Sequence, residues 1–329
     1  MTQQSFQRRD VLRVAAAAGA VALCGGARAQ GWPTKPVTMV VPFPAGGGTD
    51  AFARPLSAQF SRAAGQTLVI DNRGGAGGTV GASIAAKLPA DGYSLFMGAV
   101  HHAIAPSIYP KLDYDLEKDF VPLMLLANVP QVVVVNPKRV QAATIQELIA
   151  TAKRNPGKLN YGSAGSGTSH HLAGELFKLQ TGTFITHIPY RGAGPALSDL
   201  IAGNVDLMFD GLGSSAQHIK GGRIKALMVA GAKRNPAFPD VPCAAEVGLP
   251  DYTVTTWYGL WAPKGTPAEA QTQIIDTMKK ALGTDELKAI WAQNGSEIPN
   301  VTNAAYGRFV NAEIKRWATV VKASGAKLE

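Results

Sequence analysis

Val40-Val41-Pro42-Phe43-Pro44-Ala45-Gly46-Gly47-Gly48-Thr49-Asp50 decides how this chain is read. The apolar run from residue 37 to 41 reads as a buried strand. Pro42 and Pro44 break it, and three glycines follow. Thr49 offers an N-cap oxygen, and Asp50 sits where a first helical turn favours an acid. A strand, a glycine turn and a helix start leave several backbone N–H groups converging on one point. The helix dipole adds partial positive charge there. A carboxylate or phosphate fits that description. A single turn of this kind is also what an ordinary βα connection looks like; its repetition along the chain is what points to a ligand.

Three further glycine turns follow apolar runs and precede helical patterns: residues 72–78, 163–168 and 211–215. In open α/β sheets, ligands sit at the carboxyl ends of strands. Four turns at such ends predict one cleft floored by backbone donors. None of them contains a lysine, and Arg73 is the basic residue among them. An anion held there would depend on N–H groups, Ser/Thr hydroxyls and dipoles. Asp210, at a strand end beside the fourth turn, is expected either to cap that turn or to accept from a ligand amine or a water.

Strands and helices alternate nearly throughout, which predicts α/β layers with a parallel or mixed sheet. Expected strands cover residues 67–70, 93–100 (ending in His101-His102), 120–127, 131–135, 159–162, 186–190, 205–209, 224–230 and 252–261. Thr144-Ile145-Gln146-Glu147 is a capping box, and Thr266-Pro267-Ala268-Glu269 a second one with proline at the first helical position. The remainder of the chain reads as helices. Pro55 is expected to kink or shorten the first long helix. The tail carries no strand-and-glycine unit of its own, so it should pack onto an existing unit. Two lobes follow, one from residues 30–128 plus 257–329 and one from 129–256, with crossings near 128–131 and 253–258.

The first 29 residues read as an export signal. Arg8 and Arg9 give a twin-arginine look, residues 14–24 form an apolar core too short to span a bilayer, and Ala27-Arg28-Ala29 is a cleavage site. Cleavage after Ala29 would start the mature chain at Gln30 and place it in the periplasm. Cys24 raises a lipoprotein alternative, which the bulky Leu23 disfavours. Beyond that segment Cys243 is the remaining cysteine, so no intrachain disulfide is available. The formal charge is +9, and the exported segment contributes three of those charges. No Lys/Arg run interleaved with aromatics argues for nucleic acid.

The sequence lacks a phosphate-binding GxxxxGK[ST] loop and a GxSxG elbow. Residues 211–216 match a degenerate dinucleotide turn, but no acid ends the next strand to hold a ribose. His101-His102 and His170-His171 lack metal-ligand spacing, and neighbours in a strand or helix point apart. A Ser166–His171–Asp210 triad has no local support. No cofactor and no metal is expected.

Several stretches resemble the Bug family of extracytoplasmic solute-binding proteins of tripartite tricarboxylate transporters. They are the export signal, Trp32-Pro33-Thr34-Lys35-Pro36, residues 41–47, the Asn72 to Gly78 turn, residues 161–168 with His171-Leu172, Pro189-Tyr190-Arg191-Gly192, Pro239-Asp240-Val241-Pro242 and Trp257-Tyr258-Gly259. The match runs in order along essentially the whole mature chain. It implies a two-lobed periplasmic-binding-protein fold of type II character, with two Rossmann-like domains joined by two crossover strands that let the lobes close on a ligand. It implies a carboxylate against the first turn, through Phe43, Ala45, Gly46, Gly47 and Thr49, with Gly75, Ala76 and Gly77 supporting ordered waters. The other lobe would contribute Ser163, Gly165, Ser166, Thr168, His171 and Asp210. His101-His102, with His102 as the site residue, lies where members of the family vary and where specificity is set. Cys243 departs from the commoner threonine, away from the cleft. The implied protein is a monomer, not an enzyme, that hands a di- or tricarboxylate or aromatic carboxylate to membrane permease subunits. A carboxylate-ester hydrolase in the same cleft and a receptor for a sensor kinase are the alternatives.

Overall fold

The computed structural model describes residues 31–327. The export segment, its cleavage site and Cys24 lie outside the described residues. Two half-sheets of the same design share long strands. In the first, β1 (Val37–Val41) lies between β2 (Leu68–Asn72) and β3 (Ser94–Ala99), all parallel. In the second, β5 (Asn160–Ser163) lies between β6 (Thr186–Pro189) and β7 (Leu207–Gly211), again parallel. Each trio is closed by an antiparallel strand from elsewhere in the chain. β9 (Thr255–Pro263) closes the first against β3, and the second half of β4 (Phe120–Val135) closes the second against β7. β8 (Lys225–Val229) also pairs with that half of β4.

β4 corrects the expectation of two separate runs. It is one strand of 16 residues: positions 120–130 pair with β9, and positions 131–135 pair with β7 and β8. Pro130 falls where the strand changes partners, a place where a residue without an N–H is tolerated. β4 and β9 run side by side through the middle of the order β2-β1-β3-β9-β4-β7-β5-β6.

The helix α1 (Gly48–Ala64) continues through Pro55 for 17 residues and is not shortened by it. Phe52, Leu56 and Phe60 form a buried stripe on its inner face. Burying each is worth roughly 1.5–3 kcal/mol, which together exceeds the proline penalty of about 3 kcal/mol. The helix α4 (Ile145–Arg154) starts at the expected cap, with Thr144 Oγ1 accepting the N–H of Glu147 at 3.2 Å. The helix α8 (Ala268–Leu282) starts one residue later than its capping box suggested. Pro267 is its N-cap, and the Thr266 hydroxyl donates to the carbonyl of Pro263 instead. The tail is not wholly helical. After α9 (Asp285–Gln293), β10 (Val301–Thr302) pairs with β4 before α10 (Asn303–Ser324) begins. No described helix is long and apolar enough to cross a membrane.

Candidate functional site

The first glycine turn is held by its own acid. The helix α1 begins at Gly48 with Gly47 as N-cap, so Thr49 lies inside the first turn and is not the cap. Asp50, buried, accepts the N–H of Gly46 at 2.9 Å and the Nε of Arg54 at 2.7 Å on one oxygen. Its other oxygen accepts from Asn72 Nδ2 at 3.1 Å, and the same amide donates to the carbonyl of Phe43 at 2.9 Å. One carboxylate thus ties the turn to the end of β2. Ala45 and Gly46 are exposed at the rim.

The second turn, residues 75–78, precedes α2 (Thr79–Ala85). The third, residues 163–168, precedes α5 (Ser169–Thr181) at the second half-sheet. They abut. A side chain at Gly77 would lie 2.8 Å from the Tyr109 hydroxyl and 3.2 Å from the carbonyl of Ser166. The Tyr109 hydroxyl donates to that carbonyl at 3.1 Å. Side chains also engage amides of the third turn. Gly165 N–H donates to Ser163 Oγ at 3.0 Å and Gly167 N–H to His171 Nδ1 at 3.1 Å, while Thr168 Oγ1 donates to the Gly165 carbonyl at 2.7 Å. Ser163 Oγ also meets His187 Nε2 at 2.6 Å.

The fourth turn is not a turn. β7 continues through Asp210 to Gly211, and α7 (Leu212–Lys220) begins at once. Asp210, fully buried, accepts the hydroxyls of Ser214 and Ser215 at 2.7 and 2.6 Å on Oδ2. Its Oδ1 has no hydrogen-bond partner.

The histidine pairs sit on helices. β3 ends at Ala99 and α3 (Val100–Ile108) follows directly, so His101 and His102 lie in a first helical turn, not at a strand end. Successive helical residues point apart, and each pair divides its work. His102 faces inward: Nδ1 accepts the N–H of Ala99 at 3.0 Å, and Nε2 lies 3.3 Å from the carbonyl of Gly78. Burial pushes its pKa down to about 4. His171 stacks on His187 at 4.1 Å and turns Nδ1 to the third glycine turn. The other two face the cleft and each other. The rings of His101 and His170 meet edge to face at 5.6 Å, and the Phe43 ring lies 5.2 Å from His101.

Two cavities result. The outer one, of about 340 Å³, has walls that include Phe43, residues 75–78, Tyr109, residues 164–166, Tyr190 and Arg191. The inner one, of about 10 Å³, is walled by Phe43, residues 47–49, His101, Ala164, His170, Ala193 and Tyr258. Of the expected site residues, Phe43, Gly47, Thr49, Gly75, Ala76, Gly77, Gly165 and Ser166 line one cavity or the other. Ala45, Gly46, His102, Ser163, Thr168, His171 and Asp210 do not; most of them brace the walls. Arg73 pairs with Asp71 at 2.9 Å and lines neither. Sequence reasoning missed Arg191, a cation on the outer cavity, and from each histidine pair it took His102 and His171 as site residues, whereas His101 and His170 line the inner cavity. Arg191 stood in the quoted motif Pro189-Tyr190-Arg191-Gly192, and its charge was the available signal. A larger hollow of about 520 Å³ near Lys279 and Ile298 lies away from all the glycine turns and is walled mainly by apolar atoms.

The sequence profile of the tripartite tricarboxylate transporter family receptor matches residues 52–326. The Bordetella pertussis protein BugT is 36% identical over 92% of this chain and 93% of its own length. Among solved structures, Rhodopseudomonas palustris Rpa4515 with adipate is 39% identical, covers 91% of this chain and all of its own, and superposes with a TM-score of 0.87. MatC from the same organism, solved with bound malate, is 33% identical over 88% of this chain and all of its own, with a TM-score of 0.83.

Proposed function

This chain belongs to the tripartite tricarboxylate transporter family of receptors, and from that premise we propose that it captures a small carboxylate between its lobes and hands it to membrane permease subunits. It is a two-lobed solute-binding protein of a periplasmic family, not an enzyme. Support for the ligand comes from one arrangement above all. Glycine turns from opposite lobes face each other across the outer cavity, and Arg191 stands on its wall. Backbone amides, a guanidinium and a volume of about 340 Å³ suit a small organic anion. Malate and adipate, bound by the two neighbours, are the first ligands to try. The hydrolytic alternative loses ground on geometry. Asp210 is occupied by Ser214 and Ser215, and His171 turns Nδ1 to Gly167 rather than to a serine.

The division into lobes at residues 30–128 with 257–329 and at 129–256 is part of this proposal, as are the monomer, cleavage after Ala29 and release into the periplasm. β4 and β9, which join the half-sheets, would be the hinge. A thermal-shift screen of malate, adipate, succinate, citrate and benzoate tests the reading. A ligand at a hundred times its Kd adds about 2.7 kcal/mol of apparent stability. Stabilisation by one or more of these acids without turnover is the expected result. No shift with any carboxylate, on protein shown by native mass spectrometry to be ligand-free, would overturn it.

A further inference from the structure

The inner cavity brings together one imidazole from each lobe, and their hydrogen bonds fix what each can offer. His101 Nδ1 accepts the N–H of Ser169, in the first turn of α5, at 3.0 Å. That bond crosses from α3 to the opposite lobe. It requires a lone pair on Nδ1, so the neutral ring carries its proton on Nε2. Burial and the neighbouring imidazoles of His170 and His102 keep His101 neutral.

His170 is built differently. It is 4% exposed, and its Nδ1 has no hydrogen-bond partner. Its Nε2 lies 3.7 Å from Asp210 Oδ1, which also lacks one. Two buried polar atoms on either side of one ring are left unsatisfied, a costly arrangement unless something completes it. The neutral ring with its proton on Nε2 could donate to Asp210 after a shift of less than an ångström or so. A second proton, on Nδ1, would let that side donate to a ligand acceptor. The titratable groups around this ring are His101 on α3, Asp210 on β7 and Tyr258 on β9. Burial, with Asp210 adding to it, pushes the Tyr258 phenol up, so it stays neutral. His218 on α7 feels the same Asp210 carboxylate. In the free protein, burial lowers the His170 pKa more than Asp210 raises it.

We propose that His101 and His170 read the far end of the ligand, a second carboxylate, and that a dicarboxylate binds here together with one proton, which His170 holds between the ligand and Asp210. The proposal rests on the carboxylate reading of the cleft. The inner cavity, at about 10 Å³, is close to the size of a single water. A carboxylate is larger than that, so in the complex the lobes stand further apart at this point than they do here. A monocarboxylate of the same length leaves Nδ1 without an anion and gives His170 no reason to take a proton.

The sign follows from linkage. An anion at Nδ1 raises the His170 pKa in the complex above its value in the free protein, so protons are taken up on binding between those two values. Affinity for the dicarboxylate should rise as pH falls through that window, by up to about tenfold per pH unit, and level off below it.

Calorimetry of malate, succinate and adipate near neutral pH, each in buffers of differing ionisation enthalpy, reads the proton count directly. Hexanoate is the control for adipate. Uptake approaching one proton per dicarboxylate is expected, with none for hexanoate. His170→Gln should abolish the uptake and weaken the dicarboxylate about tenfold or more. Dicarboxylate binding without proton uptake by the unaltered protein would overturn the proposal while leaving the carboxylate reading intact. Uptake that persists in folded His170→Gln would overturn the assignment to this residue. Failure of every carboxylate to bind would overturn both.

Discussion

The backbone N–H of Gly46 donates to Asp50 Oδ2 at 2.9 Å, so the acid four residues along the chain, rather than a ligand, satisfies that amide of the first glycine turn. Gly46 has φ of +82°, a conformation that the carboxylate locks in place. Asp50→Ala should therefore loosen the turn. It strips an acceptor from Gly46, Arg54 and Asn72 together. The expected loss is about 1–3 kcal/mol of stability, with ligand affinity reduced on the order of tenfold. Urea denaturation and calorimetry on the same variant measure both, and unchanged affinity would show that the turn does not bear on binding.

Gly194, at the start of α6 (Ala193–Ala202), faces the first glycine turn from the second half-sheet. A Cβ there would lie 3.2 Å from the carbonyl carbon of Gly46 and 3.3 Å from the nitrogen of Gly47. Both are backbone atoms and cannot swing aside. Gly194→Val should fold and stay open. Scattering with saturating ligand should then show the radius of the ligand-free protein, whereas the unaltered protein contracts. Equal contraction of the two would count against closure through this contact.

Arg191 and Arg73 separate two ways of holding the anion. Arg191 lines the outer cavity, and Arg73 is engaged with Asp71 outside it. Arg191→Gln should weaken carboxylate binding by about 1.5–3 kcal/mol, the range for a hydrogen bond to a charged group, while Arg73→Gln changes it little. The opposite order in calorimetry would move the anion to the other side of the second turn.

Most of the fold is legible in the sequence because it is written in local patterns. β1 and the Thr144 cap are set by residues next to each other in the chain. The site is less legible because its decisive contacts are between lobes. Nothing near His101 announces that Ser169 will donate to it across 68 positions. The choice between the members of each histidine pair depends on helix phase, and the apolar run before the first pair points to a strand end rather than to a helix. One residue of phase sends His102 to Ala99 and His101 to the cleft. The gap between the runs 120–127 and 131–135, where Pro130 falls, reads as a break although one strand there changes partners, because a long crossover strand leaves no period of its own in the sequence.

Buried neutral histidines should make the protein acid-sensitive. Burial brings His102 from 6.5 down to about 4, and His187 likewise to about 4. His101 and His170 are lowered as well. A depressed histidine leaves the unfolded chain binding more protons, so stability is complete above about pH 6.5 and is lost as pH falls toward 4. His102 alone accounts for a loss on the order of 2 kcal/mol at pH 5. Chemical denaturation at a series of pH values should show this decline, and His102→Asn, if it folds, should shrink it. A flat profile between pH 7 and 5 would contradict these burial-driven shifts.

Glu313 holds the C-terminal helix to the crossover strand. It is 8% exposed, and Oε2 accepts from Trp257 Nε1 at 2.7 Å and Trp317 Nε1 at 3.2 Å. Trp257 belongs to β9 and Trp317 to α10. Oε1 accepts from Arg316 at 3.1 Å. Glu313→Leu keeps the bulk but leaves two buried indole N–H groups without an acceptor. At about 1–3 kcal/mol for each unsatisfied donor, the variant should lose roughly 2–6 kcal/mol. Glu313→Gln retains an oxygen and should lose clearly less. Because β9 is one of the two strands joining the half-sheets, the loss should also alter lobe closure, and chemical denaturation of both variants measures the difference in stability. Equal stability of the Leu and Gln variants would show that the packing of this helix, and not the shared carboxylate, fastens it to β9.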